Sequence, residues 1–338
     1  MDVSRYTDTT ELKFEIEFIT PTFLGGADGN AEIRTAPFKH GIRYWWRVLH
    51  GVKYGDNIKE TEDLIFGSTE KASNIQILFS DLPTSILVEK IGFPKGKRVP
   101  VTHNGRTMNI NILDYLAYGK YEYVKGSGNV YQSTYIKPKT KLNLIVTIKN
   151  VGHTEEIKDA IKFFILYGGV GSRSRNGFGS MSANLASIEF SKSVNLLNML
   201  DFPVFSKEAH FYRTKKTFNT WEDALSEIGE IYKNARCNLE NQHKYEKRGL
   251  ISRPIEVKGE TIADNIRKDR IPKPFYLGIK KYEGQFLGYI LCLPINFYER
   301  NKQKDYMEQI KKMNEEFSKK LKDDTEIFIK QFTGGTSK

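Results

Sequence analysis

A mixed α+β fold is predicted for this 338-residue chain by three observations. Short segments that alternate apolar and polar residues recur along it, and amphipathic segments of helical period lie between them. In each half they run strand, helix, strand, strand, helix, strand, which is the split βαβ order. A glycine-rich stretch, Gly168–Ser180, follows the second helix of the first half only. The expectation is two tandem ferredoxin-like (RRM-like, βαββαβ) domains with insertions, over residues 1–195 and 196–338.

The first half justifies this element by element. Leu12–Ile19 alternates apolar and charged residues, as a half-buried strand does. Thr20-Pro21 ends it, and Leu24–Asn30 is a loop. Pro37–Gly51 opens on proline and closes on glycine, the helical preference. At about 100° per residue, Phe38, Ile42, Trp45, Leu49 and Val52 share an apolar face. Lys39, Arg43, Arg47 and His50 share a basic one, with Trp46 on the border. Asn57–Gly67 reads as a second short helix and Asn74–Leu82 as a strand. From about 83 to 139 the pattern breaks into a basic, turn-rich insertion with tyrosines at 115, 118, 121, 123, 131 and 135. A connection of that length is usually functional or mobile. Lys141–Ile148 is the third strand, Thr154–Tyr167 the second helix, and Met181–Phe190 the closing strand.

The second half starts with a strand at Ala209–Lys215 and a helix at Trp221–Ala235. A basic, poorly periodic insert runs from Arg236 to Lys273. Pro274–Lys280 and Gln285–Leu293 read as a hairpin, Tyr298–Leu321 as a charged helix, and Thr325–Phe332 as the closing strand.

Composition narrows the function. A net charge of +11 favours polyanionic partners. The basic residues are mixed with tyrosines and glycines instead of lining one long amphipathic helix, which points to nucleic acid over a membrane surface. No run approaches the ~20 apolar residues a bilayer span requires. Met1–Arg5 lacks the apolar core of a secretory signal. Two cysteines, Cys237 and Cys292, argue against a disulfide framework and a cysteine-based zinc finger. A reducing, cytoplasmic setting follows, with no cofactor and no metal expected.

Gly168–Ser180 is the stretch with the strongest chemical character. It packs five glycines, two arginines and three serines into thirteen residues. Glycines let a ligand approach the backbone, arginine forks suit phosphate, and successive N–H groups can form an anion-binding concavity. No Gly-Lys-Ser/Thr follows, so it is not a Walker loop. The helix-then-strand order is the reverse of a dinucleotide fingerprint. The basic-Gly-aromatic-Gly core, Arg175–Gly179, only precedes a strand, whereas the RRM signature lies within one. An ordinary glycine-rich connection is the plain alternative. On this reading Gly169, Gly171, Ser172, Arg173 and Arg175 grip RNA backbone, and Phe178 stacks on bases. The helical stripe Lys39, Arg43 and Arg47, bordered by Trp46, is a second candidate contact, with a merely solvated charged face as the alternative. Stripe and loop are expected to line one groove.

The set Thr20-Pro21, Leu24–Asp28, Tyr44–Arg47, Ile65–Ser68, Tyr115–Gly119 and Gly169–Gly179 resembles the RAMP superfamily of CRISPR proteins. Within it the likeness is to the first-numbered RAMP subunits of type III-B (Cmr) effectors, over about residues 12–190. The resemblance implies a non-catalytic subunit of an RNA-guided complex. Such a subunit contacts crRNA and target RNA near the guide 3′ end, beside other Cmr effector subunits and with no membrane. The alternative is a metal-independent RAMP endoribonuclease, which needs a general base or acid near a 2′-hydroxyl. His40, His50 and His103 are the candidates for that role.

Overall fold

In the computed structural model, residues 8–333 are described apart from 27–28, 81, 83–87, 90–92, 104–105, 150–151, 186–188, 195, 197, 242–243, 256–261, 265 and 267–268. The first half comprises β1 (Thr9–Phe18), α1 (Thr35–His50), α2 (Ile58–Phe66) and β2 (Ile75–Ser80). The insertion follows with β3 (Val88–Glu89), β4 (Arg98–His103), β5 (Arg106–Asn111), α3 (Ile112–Leu116), β6 (Tyr121–Val124), β7 (Gly128–Tyr131) and β8 (Tyr135–Ile136). Then come β9 (Lys141–Lys149), α4 (Thr154–Phe163) and β10 (Met181–Ala183). The second half holds β11 (His210–Arg213), α5 (Trp221–Cys237), α6 (Glu246–Ile251), β12 (Phe275–Tyr282) and β13 (Gln285–Cys292). It ends with α7 (Gln303–Lys320), β14 (Lys322–Asp323) and α8 (Thr325–Lys330).

The mixed α+β class with antiparallel sheets is what is found. The two four-stranded sheets run β10-β1-β9-β2 and β12-β13-β11-β14, and each neighbouring pair is antiparallel. Counted within its own half, each sheet has its first and third strands in the centre and its second and fourth at the edges. Alternation sets the register of the first sheet: Phe14 faces Leu144 and Ile16 faces Leu142 across the ladder, all four buried.

Two large hydrophobic cores result among the described residues, each drawing on both halves, beside a small cluster of Tyr245, Ile255, Ile262 and Ile266. One joins Phe14, Ile16 and Val146 with α1 and α4 to Phe211, Tyr276, Tyr289 and Leu291 of the second sheet. The other joins the opposite face of that sheet (Phe275, Leu277, Ile279) with α5 and α7 to Val99, Leu113, Tyr131 and Phe178. The insertion is therefore not a loose loop. It holds small ribbons and the helix α3, whose Ile112 and Leu116 pack on α5 at Gly229, and Lys233 of α5 donates from Nζ to the Pro100 carbonyl at 3.0 Å.

Several boundaries differ from expectation. The closing strand expected at Thr325–Phe332 is α8; the strand itself is Lys322–Asp323. Phe328 and Phe332 are buried four residues apart, which is helical spacing, and Lys330 pairs with Glu326 at i,i+4. Strand β10 ends at Ala183, well short of Phe190, and 186–188 lie outside the described residues. Helix α4 is regular only to Phe163. The expected division at 195 also falls outside the described residues, as do Asp28, the N-terminal Met1–Arg5 and part of the insert 236–273.

Candidate nucleic-acid interface

Beyond α4 the chain widens into a π-type turn, Phe164–Gly168, and the glycine loop begins. Its glycines serve close packing more than ligand access. At Gly179 (φ 69°) an added Cβ would strike the Val170 carbonyl, and at Gly171 (φ 86°) the Phe23 carbonyl. Gly169 lies against the carbonyls of Phe178 and Gly179. The Val170 N–H donates to the Gly179 carbonyl at 2.9 Å, Ser172 N–H to Phe23 at 2.9 Å, Asn176 N–H to Arg173 at 2.8 Å and Gly179 N–H to Pro21 at 3.0 Å. The Ser180 N–H donates to Thr20 Oγ1 at 3.0 Å. These amides are committed inside the fold, whereas the successive N–H groups of Arg173, Ser174 and Arg175 have no hydrogen-bond partner among the described residues. The loop is tied within the first half by the Ser172 bridge to Phe23 and to the second half by the Leu277 N–H of β12, which donates to the Arg175 carbonyl at 3.1 Å.

The other expected contacts divide sharply. Phe178 is fully buried, edge-on to Phe23 at 5.3 Å, so it is a core ring and not a base-stacking platform. Trp46 is also fully buried. It stacks on Tyr54 at 5.5 Å and donates from Nε1 to Glu156 at 3.1 Å. Arg43 and Arg47 both grip Glu62 of α2, itself 1% exposed, and Arg43 also reaches Asp63 at 3.4 Å. Arg43 and Arg47 of the basic stripe are thus neutralised by a neighbouring helix. Lys39 is half-buried, and that burial together with the charge of Arg43 holds its ammonium below the ordinary lysine value. Helix α1 meets the loop through Tyr44, a residue the helical-face reading passed over.

Of the histidines, His50 is 3% exposed, with Nε2 3.3 Å from Asp159 Oδ2 but without hydrogen-bond geometry. His40 is exposed on α1. His103 ends β4, and its side chain is outside those described. Among the described residues, no group of three or more His, Cys, Asp or Glu could hold a metal ion. Both cysteines are free.

A different set of cations comes together at the joint between the halves. Arg175 donates from Nη1 to the Lys273 carbonyl at 2.6 Å and from Nη2 to Tyr44 Oη at 3.3 Å. Its guanidinium lies 4.7 Å over the Tyr276 ring, and the Tyr44 and Tyr276 hydroxyls bond each other. Lys273 Nζ donates to Asn176 Oδ1 at 2.6 Å and sits 4.0 Å over the Tyr232 ring. Burial, then the charges of Arg236, Arg175 and Arg173, hold its ammonium well below the ordinary lysine value. Arg236, one helical turn after Tyr232, hydrogen-bonds the Tyr115 hydroxyl. Exposed Arg173 lies over Gly119, and its charge, after partial burial, lowers the ammonium of Lys120.

Among the described residues, none of Lys120, Arg173, Arg175, Arg236 and Lys273 forms an ion pair with a carboxylate. Tyrosine faces and hydroxyls take that place, giving a seam of positive charge that a polyanion would complete. Sequence reasoning found Arg173 and Arg175 and missed the rest. Arg236 and Lys273 are the two ends of the basic insert, and only the fold shows that those ends meet.

Fold and site together define a class. Residues 15–182 match the family model of the RAMP superfamily, and the chain belongs to that superfamily. Its curated relatives include the CRISPR system Cmr subunits Cmr1-2 and Cmr1-1 of Pyrococcus furiosus. The first is 44% identical over 69 residues (19% of this chain, 37% of the relative), the second 29% identical over 189 residues (54% and 51%). The chain thus spans about a third and about half the length of these two relatives. A chain of the type III-B Cmr-beta complex bound to cognate target RNA and AMPPnP, in the presence of ssDNA, shares the fold. The TM-score is 0.53 at 13% identity, covering 90% of this chain and 98% of that one. Cmr1 of Pyrococcus furiosus, in its apo crystal form, aligns at TM-score 0.49 and 18% identity over 85% and 88%.

Proposed function

We propose that this chain is a non-catalytic RNA-binding subunit of a CRISPR RNA-guided Cmr effector, built from two tandem ferredoxin-like modules and working in the cytoplasm. The common strand order of the two sheets supports the tandem reading. The names of the curated relatives support membership of a Cmr complex, with crRNA, target RNA and other Cmr subunits as partners. Contact near the guide 3′ end is carried over from the family resemblance.

The observation that carries RNA binding is the cationic seam at Arg173, Arg175, Lys273, Arg236 and Lys120, none of which has a carboxylate partner among the described residues, although burial and the neighbouring arginines disfavour the charged form of Lys273. Phosphates of a single strand would lie along it. Tyr118 and Tyr123, 56% and 74% exposed on the insertion, offer faces on which bases stack.

The test is labelled single-stranded RNA titrated with the protein in EDTA at several salt concentrations, with binding and cleavage scored separately. If five cations each meet one phosphate, the log–log salt slope is about −3.5, and affinity falls roughly 100-fold between 50 and 200 mM salt. A flat response removes the seam as the site, and metal-free cleavage revives the endoribonuclease reading.

A further inference from the structure

The cations of the seam differ in one respect. Arginine stays charged at every working pH, whereas a lysine amine releases its proton when its surroundings oppose the charge. Three arginines act on Lys273, against one on Lys120. Lys273 is half-buried just ahead of β12, with Nζ bonded to Asn176 Oδ1 at 2.6 Å and 4.0 Å over the Tyr232 ring.

Among the described residues, no element packed around Lys273 offers it an anion. The glycine loop presents Arg173 and Arg175, the latter donating to the carbonyl of Lys273 itself. Helix α5 presents Tyr232 and Arg236, with exposed Cys237 after them, and Tyr115 of α3 is bonded to Arg236. Tyr44 and Tyr276 lie on Arg175. Burial holds the Tyr44, Tyr115 and Tyr232 hydroxyls above the ordinary phenol value, so they stay protonated and supply no negative charge. The amine has one neutral acceptor and one ring face, against burial and three fixed positive charges.

A phosphodiester changes this balance. It is an anion at every pH near neutrality, and an opposite charge within about 4–6 Å favours the protonated amine. We propose that RNA binding in the seam is coupled to uptake of one proton by Lys273 Nζ, so that the protein grips RNA more tightly as pH falls. The proton comes from solvent and adds to the lone pair of the amine, and no other covalent bond is made or broken. One proton taken up changes affinity by at most about tenfold per pH unit. Affinity is full below the pH at which the free protein loses this proton, and it falls until the RNA-bound protein loses it too. This coupling rests on the seam being the RNA site.

The test is calorimetric titration of the full chain with a single strand of adenines and cytosines, whose bases exchange no proton above neutrality. Runs at about pH 8 in two buffers of different ionisation enthalpy count the protons taken up. Affinity is also followed from about pH 7.5 to 9.5, above the ordinary histidine range. Proton uptake should be measurable, and affinity should fall at least about threefold across that range. Lys273→Arg should remove both effects, leaving affinity flat within about twofold, because guanidinium keeps its charge. Lys273→Met, judged by the same flatness if the arginine variant fails to fold by circular dichroism, should bind weakly throughout. Cys237→Ser should keep the pH dependence. Salt-dependent RNA binding without proton uptake, or pH dependence retained in the Lys273 variants, would overturn the coupling while leaving the seam as the RNA site. Absence of RNA binding at every pH would overturn both.

Discussion

Lys280 is a lysine the fold holds against its own charge. It lies on β12 in the joint between the halves, its Nζ 3.7 Å over the Tyr167 ring, with no ion pair among the described residues. Burial lowers its pKa from 10.5 to about 7. At 1.36 kcal/mol per pH unit this is roughly 4–5 kcal/mol against the charged form. The cation–π contact with Tyr167 offsets about 1–2 kcal/mol of it. In the unfolded chain the amine titrates near its ordinary value, so between about pH 7 and 10 the unfolded state holds a proton the folded state has released. Stability therefore rises with pH across that window, and the full penalty is present below it. Lys280→Met keeps an unbranched stem and removes the charge. The variant should be about 2–3 kcal/mol more stable at pH 7, with the gap narrowing towards pH 9.5. Urea midpoints at both pH values, with m unchanged, measure this. Lys273 also titrates abnormally, but it is present in both proteins and cancels from the difference. A Met variant less stable than the parent at pH 7, or a gap independent of pH, would refute the reasoning.

The other predictions separate gripping residues from structural ones. Arg175→Ala should cost about 2 kcal/mol, since two hydrogen bonds and the contact with Tyr276 go together, whereas Arg173→Ala should weaken RNA binding with stability within about 0.5 kcal/mol. Equal melting temperatures for the two variants would contradict the clamp. Arg43→Ala with Arg47→Ala strands the buried Glu62 carboxylate and should destabilise by about 3 kcal/mol or more, while RNA affinity of the folded fraction stays unchanged. A salt slope altered by this pair would return the stripe to the binding surface. Phe178→Ala should behave as a core truncation, costing roughly 3–5 kcal/mol in chemical denaturation, and a folded variant that only loses RNA would contradict its burial.

Periodicity was a sound guide wherever one face of one element settles the outcome. The alternation in β1 and the apolar stripe Phe38, Ile42, Trp45 and Leu49 of α1 both point inward, because burying them needs only the element's own pattern. The glycine loop was also legible, since closely packed backbone with positive φ demands glycine. Its purpose was not. Glycine signals close approach without saying what approaches, and here that is the chain's own carbonyls.

The remaining decisions belong to elements distant in sequence. Whether Arg43 and Arg47 are free depends on α2 carrying Glu62 to them, and whether Trp46 is at a border depends on Tyr54 and Phe66 covering it. A one-dimensional pattern records which side of a helix is charged, but not which partner lies opposite. The same limit applies to the seam. Arg173 and Arg175, Arg236, and Lys273 come from a loop, the end of a helix and the segment just before a strand, and no local period links them. Composition determined that this basic chain would favour a polyanion. Only tertiary packing decided which cations were left without carboxylates, because charge neutralisation acts over a few ångströms of space and not over residues of sequence.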